Sequence, residues 1–172
     1  MDKAFKVINE MFKDGILKNY AIGGAVAVMY YTEPFDTFDL DIFFIPDEKE
    51  KIIVLTPFYN YLTKRKKYKT YKEYIMINGT PIQFIPAADE LEKEAVENAI
   101  EINYKDIKLK IIRVEYLIAI FLKVQRKKDI LKLLKILDEA KIDYNLLNKI
   151  LEKYGLTKTF ENFKNNYYGK RN

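Results

Sequence analysis

Two stretches decide how this chain reads: Tyr20-Ala21-Ile22-Gly23-Gly24-Ala25-Val26, and Thr37-Phe38-Asp39-Leu40-Asp41-Ile42-Phe43-Phe44-Ile45. The apolar run Tyr20–Ile22 predicts a short buried strand, broken by Gly23-Gly24. Residues Ala25–Tyr31 then resume as a buried helix. Phe38–Ile45 is dense in aromatic and β-branched residues, which predicts a second strand, stopped by Pro46. Side chains alternate along a strand, so Asp39 and Asp41 share one face while Leu40, Ile42 and Phe44 share the other. Two carboxylates on one face repel unless a cation joins them. A hard divalent ion, Mg²⁺ or Mn²⁺, suits oxygen ligands shared with substrate phosphates. Glycines between a strand and a helix let backbone N–H groups approach phosphate at the positive end of the helix. Gly23 and Gly24 are therefore candidate phosphate contacts, and Asp39 and Asp41 candidate metal ligands. Thr37 reads equally well as a phosphate donor and as a loop residue bonding its own backbone.

Working outward, Ala4, Phe5, Val7, Ile8, Met11 and Phe12 recur at helical spacing and predict an opening amphipathic helix. Residues 32–37 form a loop punctuated by Pro34. Beyond Pro46, the acidic-then-apolar run Asp47–Leu55 predicts a helix. Thr56-Pro57 then reads as an N-cap and first helical residue before a helix over Phe58–Lys64. Tyr68–Ile77 alternates and predicts one strand. Asn78-Gly79 signals a tight hairpin returning through Thr80–Ile85. A helix over Asp89–Ala99 precedes a second hairpin, Ile102–Tyr104 with Ile107–Ile112, around Lys105-Asp106. From Val114 the pattern is helical throughout: Tyr116–Val124, Ile130–Leu137, Leu146–Leu151 ending at Gly155, and a weaker segment Leu156–Tyr168 before a fraying tail. The expectation is an α+β fold: a mixed sheet flanked by helices, followed by a C-terminal helical bundle. We read residues 1–172 as a single domain, with an α/β core over 1–113 and a helical part over 114–172.

Composition narrows the chemistry. The 172 residues include neither cysteine nor histidine. That excludes disulfides, thiolate metal sites, histidine general bases and every Ser-His or Cys-His nucleophile scheme. Catalysis would run on carboxylates, Lys, Arg, Tyr, hydroxyls and a metal. The N-terminal residues lack the apolar core of a signal peptide, and no apolar run approaches the roughly 20 residues of a membrane span. A cytoplasmic location without membrane association is expected. The net charge of +5 is compatible with phosphate-bearing ligands or RNA without demanding them. Richness in Lys, Ile, Glu and Tyr suits a thermophile or a low-GC genome alike.

Ile22-Gly23-Gly24, fourteen residues from Ala25 to Phe38, and then Asp39-Leu40-Asp41-Ile42 resemble the nucleotidyltransferase signature. Ala21–Phe43 is similar to the minimal and abortive-infection-type branches. Glu115-Tyr116-Leu117-Ile118-Ala119-Ile120 and Arg126-Lys127-Lys128-Asp129 resemble the helical segment of the same branches. The resemblance spans about residues 20 to 137 and implies the fold of that superfamily. It also implies transfer of a nucleoside monophosphate from an NTP, with Asp39 and Asp41 holding Mg²⁺. The implied acceptors are RNA, protein or a small molecule, and some relatives are toxins paired with an antitoxin partner. Arg126 and Lys128 become candidate triphosphate contacts, although Arg126 and Asp129 are also spaced to pair with each other.

The chain departs from the pattern in three places. Gln83 fills the slot of a third carboxylate, where it becomes a substrate contact and cannot act as a base. Phe121 stands where toxin-branch relatives often carry Lys. Asp36 lies where basic residues often follow the glycines. An alternative reading is therefore an inactive member that binds nucleotide, RNA or a partner protein. Glu73 and Asp89 are candidate replacements for the missing acid. Lys64-Arg65-Lys66-Lys67 reads first as a solvated helix end and second as an RNA contact. Tyr71, Tyr74, Tyr167 and Tyr168 read first as packing residues and second as base-stacking ones.

Overall fold

The computed structural model describes residues 1–46 and 55–168. The expected helix over Asp47–Leu55 falls almost wholly outside the described residues, as does the tail from Gly169. The chain opens with α1 (Asp2–Lys13), which buries Ala4, Phe5, Val7, Ile8 and Met11 along one stripe. Strand β1 (Tyr20–Ile22) and helix α2 (Gly24–Tyr31) follow, then β2 (Leu40–Phe44). Next come α3 (Thr56–Tyr59), running on as a π-helical turn over Asn60–Arg65, and strands β3 (Lys69–Tyr71), β4 (Tyr74–Ile77) and β5 (Thr80–Pro86). Helix α4 (Glu90–Glu97) leads to β6 (Ile100–Tyr104) and β7 (Ile107–Ile111). The C-terminal helices are α5 (Val114–Val124), α6 (Lys127–Glu139), α7 (Tyr144–Lys153) and α8 (Thr157–Phe163), the last continuing as a π-helical turn to Tyr168.

The strands form one mixed sheet in the order β3-β4-β5-β2-β1-β7-β6. Strands β2 and β5 are parallel, as are β1 and β7, and the remaining pairs are antiparallel. Alternation divides the centre of the sheet into two faces. Leu40, Ile42, Ile75, Ile77, Ile82 and Phe84 are all buried on one. Asp41, Gln83 and Tyr74 are only half-buried on the other. Helix α5 buries nine consecutive residues, Val114–Leu122, all apolar except Glu115, so it lies within the core, not on its surface. One continuous apolar cluster runs from α1 to Phe163. The result is the expected α+β architecture of a mixed sheet flanked by helices.

Several expected elements change at their ends. The single strand over Tyr68–Ile77 is two strands, because the backbone reverses at Lys72, whose φ is +53°. A left-handed lysine carries no obvious turn signature, so alternation alone ran straight through it. Asn78-Gly79 forms the expected tight turn, both residues having positive φ. Thr56 lies inside α3 and is not its N-cap; Leu55 holds that position, with Pro57 in the first turn. Strand β2 begins at Leu40, so Asp39 sits in the loop just before the ladder and not within it. Asp89 is the N-cap of α4, its carboxylate accepting from the Glu92 N–H at 3.1 Å.

Candidate functional site

The glycine pair is shaped by the strand beside it. Gly24 has φ of +56°, and a Cβ built on it would lie 1.9 Å from Asp41 Oδ2. A Cβ on Gly23 would lie 2.5 Å from the ring of Phe43. The Gly23 N–H donates to the Asp41 carbonyl at 3.0 Å. The missing side chains thus make room for Asp41 and Phe43. Any phosphate contact at this turn falls to the backbone N–H groups at the head of α2, not to an empty glycine cradle.

Asp41 is the electrostatic centre. Burial pushes its carboxyl above the ordinary range, and the neighbouring charge of Asp39 pushes the same way. Lys132, Lys128 and Arg126 oppose them. All three cations belong to the first half of α6 or its N-cap. Arg126 donates through Nε to Asp129 at 2.7 Å and through Nη2 at 3.3 Å, and Lys132 Nζ reaches the same carboxylate at 3.3 Å. Asp129 is fully buried. The anticipated Arg126–Asp129 pair therefore exists, and Arg126 still senses the charges of Asp41 and Asp39 across the gap. Lys132 lies 5.1 Å from the centroid of the Phe121 ring. Phe121, where a lysine was expected from the resemblance, is thus the floor beneath a cation contributed by α6.

Between α6 and the loop before β2 is a cleft of about 530 Å³, within the range of small-molecule sites. Thr37, Asp39 and Lys128 line it, as do Lys132 and Lys135. Its apolar wall includes Phe38, 85% exposed, and Leu131, 70% exposed. The Thr37 hydroxyl donates to the Asp39 carbonyl at 3.4 Å, satisfying the local-backbone reading while still lining the cleft. Asp36 lines the same cleft.

Gln83 stands directly opposite Asp41 on parallel strand β5. Continuing the β4–β5 register by one residue sets Tyr74 opposite Gln83. The Tyr74 hydroxyl is pushed above its ordinary value by burial first, then by Glu73, Asp39 and Asp41. Asp89 does not replace a third acid here. It lies beyond the far end of β5, capping α4 and pairing with Lys123. Among the described residues no group of three or more Asp or Glu side chains is placed to hold a metal. The sequence reading missed Lys132, Lys135, Phe38 and Leu131, and offered Tyr74 only as a packing or base-stacking residue. Lys128, Lys132 and Lys135 at i, i+4 and i+7 on one helix face were the available signal.

The donor set still fits a hard divalent cation. Asp39 and Asp41 offer carboxylate oxygens and Gln83 an amide oxygen, and a cation would offset both the burial and the Asp39 charge that raise the Asp41 carboxyl. Two carboxylates suit an ion held jointly with phosphate rather than an all-protein cage.

No family model and no curated protein matches the chain by sequence. Among solved structures it is similar to an antigenic nucleotidyltransferase-like protein from Paracoccidioides brasiliensis, at 12% identity over 93% of both chains, with a TM-score of 0.57. A Thermotoga maritima protein provisionally assigned as a nucleotidyltransferase superposes more loosely. There the identity is 16% over 80% of this chain and 94% of that one, with a TM-score of 0.48. At such identities the likeness is one of fold, and the chain has a nucleotidyltransferase-like fold. No helix among the described residues is long and apolar enough to cross a membrane.

Proposed function

We propose that this chain transfers a nucleoside monophosphate from an NTP to an acceptor hydroxyl. The observation that carries the reading is the meeting of two charge clusters: Asp39 lines one cleft with Lys128 and Lys132 of α6, and Asp41 feels the charges of all three. Asp39 and Asp41 would hold Mg²⁺ or Mn²⁺, with Gln83 beside them. A bound divalent ion supplies charge neutralisation at the phosphates and polarises the attacked phosphorus. Lys128 and Lys132 neutralise the triphosphate and the pyrophosphate that leaves, because they line the same cleft as Asp39. Arg126 adds positive potential while Asp129 fixes its guanidinium. Phe38 and Leu131 offer an apolar surface for a base.

The acceptor oxygen forms a bond to the α-phosphorus as the bond to the β-phosphate oxygen breaks. Gln83 takes no proton, so the acceptor proton passes to water. The experiment incubates the protein with Mg²⁺ or Mn²⁺, each α-labelled NTP, total RNA and cell lysate, against an Asp39→Ala/Asp41→Ala control. Label joined to a macromolecule and lost in the control is the expected result. Label joined equally by the control sinks the assignment.

A second reading has its own observation. Gln83 occupies the sheet position beside Asp41 where a carboxylate base would stand. An idle fold that binds nucleotide would give metal-dependent NTP binding by calorimetry and no transfer; one that binds only RNA or a protein partner such as an antitoxin would give neither.

A further inference from the structure

Residues Lys64–Tyr74 read Lys-Arg-Lys-Lys-Tyr-Lys-Thr-Tyr-Lys-Glu-Tyr, six cations and three tyrosines against one acid. The fold places this segment at the β3 edge of the sheet, three strands from β2. Strand β3 is the edge strand, and all three of its residues are exposed. Paired residues on neighbouring strands share a face. One row across the sheet therefore runs Asp41, Gln83, Tyr74, Tyr71. A second row beside it runs Pro81, Met76, Lys69, and continuing the β2–β5 register one residue past the ladder brings it to Asp39. At about 4.8 Å per strand, Tyr71 lies about 14 Å from Asp41 along this face.

The face is neither core nor ordinary surface. Gln83, Pro81, Tyr74 and Met76 are half-buried, and Tyr71 is 63% exposed. Lys72 Nζ sits 5.7 Å from the Tyr71 ring centroid. Arg65 and Lys66 are engaged with Asp14 and Glu10, whereas Lys64, Lys67, Lys69 and Lys72 form no ion pair among the described residues. Edge lysines guard a sheet against edge-to-edge pairing, which accounts for the charge but not for two tyrosines in register with Asp41. Cations tracking a backbone beside aromatic rings on an open sheet face suit a single-stranded nucleic acid, whose unstacked bases can lie on those rings.

We infer that the face from Tyr71 and Lys69 to Gln83 binds a single-stranded nucleic acid and delivers its terminal hydroxyl to the Asp39–Asp41 site. The inference rests on the nucleotidyl-transfer reading for its delivery step only; the binding step stands by itself. The test is fluorescence anisotropy of a labelled single-stranded RNA of about ten nucleotides, within the span such surfaces cover. It is run without NTP or metal, so it does not depend on transfer. Tyr71→Ala should weaken binding about fivefold or more. Lys69→Glu/Lys72→Glu should weaken it further and flatten its salt dependence. All of these positions are exposed, and circular dichroism checks that the variants fold. Unchanged affinity in both variants overturns the proposal. So does binding a duplex, or a polyglutamate of equal charge, as tightly as the single strand. Binding lost in the variants, with no transfer by the wild type, keeps the surface and removes the transfer reading. Transfer to the oligonucleotide undiminished in both variants removes the delivery role.

Discussion

Gly24→Ala tests how tightly the turn and the acid pair are built together. Gly24 has φ of +56°, and holding an alanine there costs about 1–2 kcal/mol. The new Cβ would lie 1.9 Å from Asp41 Oδ2 and 2.8 Å from Cγ, but 3.1 Å from Asp41 Cβ. The carboxylate must therefore swing away while the strand stays close to its place. Forcing that side chain off its rotamer costs about 0.5–1.5 kcal/mol. The sum is about 1.5–3.5 kcal/mol, a fall in Tm of about 3–14 °C for a chain of this size. With Asp41→Ala as background the carboxylate is gone, and only the backbone cost of about 1–2 kcal/mol remains. Urea unfolding followed by circular dichroism, on the wild type, both single variants and the double, closes a cycle with a coupling of about 1 kcal/mol. Asp39→Ala in place of Asp41→Ala should give no such coupling, since the three atoms nearest the new Cβ all belong to Asp41. Equal costs in the wild-type and Asp41→Ala backgrounds, within about 0.3 kcal/mol, would refute the argument.

The Asp41 carboxyl is raised by burial and then by Asp39, so the folded chain holds that proton more tightly than the unfolded one. Its contribution to stability is complete below the unfolded value near about 4 and is lost as pH rises through the higher folded value. Asp41→Asn should therefore gain stability relative to wild type between pH 3 and pH 7 in urea titrations; a constant difference across that range contradicts the cause assigned. Asp129→Ala leaves Lys132 and Arg126 without their fully buried counter-ion and should cost about 3 kcal/mol by the same measurement. Phe38→Ala removes an exposed ring and should leave stability within about 0.5 kcal/mol, while weakening NTP binding in calorimetry if the ring carries the base. Gly23→Ala drives a Cβ into the Phe43 ring and should cost about 1–3 kcal/mol, most of it recovered in a Phe43→Leu background.

Much of this molecule is local, and the local part was legible. Tyr20–Ile22 is a strand because three apolar residues precede a glycine break, and it forms with those bounds. Asn78-Gly79 takes positive φ because asparagine and glycine tolerate it, and the hairpin closes there. The alternation of Asp39 and Asp41 against Leu40, Ile42 and Phe44 was visible from spacing alone, and the buried set is the apolar one. The turn at Lys72 was not visible, since nothing in a lysine side chain announces a left-handed backbone. Nor was it visible that the glycines are filled by Asp41 and Phe43, for that depends on how closely β2 runs beside α2.

The sequence by itself determined most element types and the inward and outward faces of the central strands, which follow from periods of two and 3.6 residues, and it nominated the two carboxylates. Tertiary structure alone decided what those carboxylates face. Lys128 and Lys132 come to the cleft because α6 packs beside α2, and Gln83 and Tyr74 come alongside because β2 pairs with β5 and β5 with β4. Chain separations of more than 30 residues carry no periodic signal between them, so charge meets charge only once the sheet order and the helix packing are set.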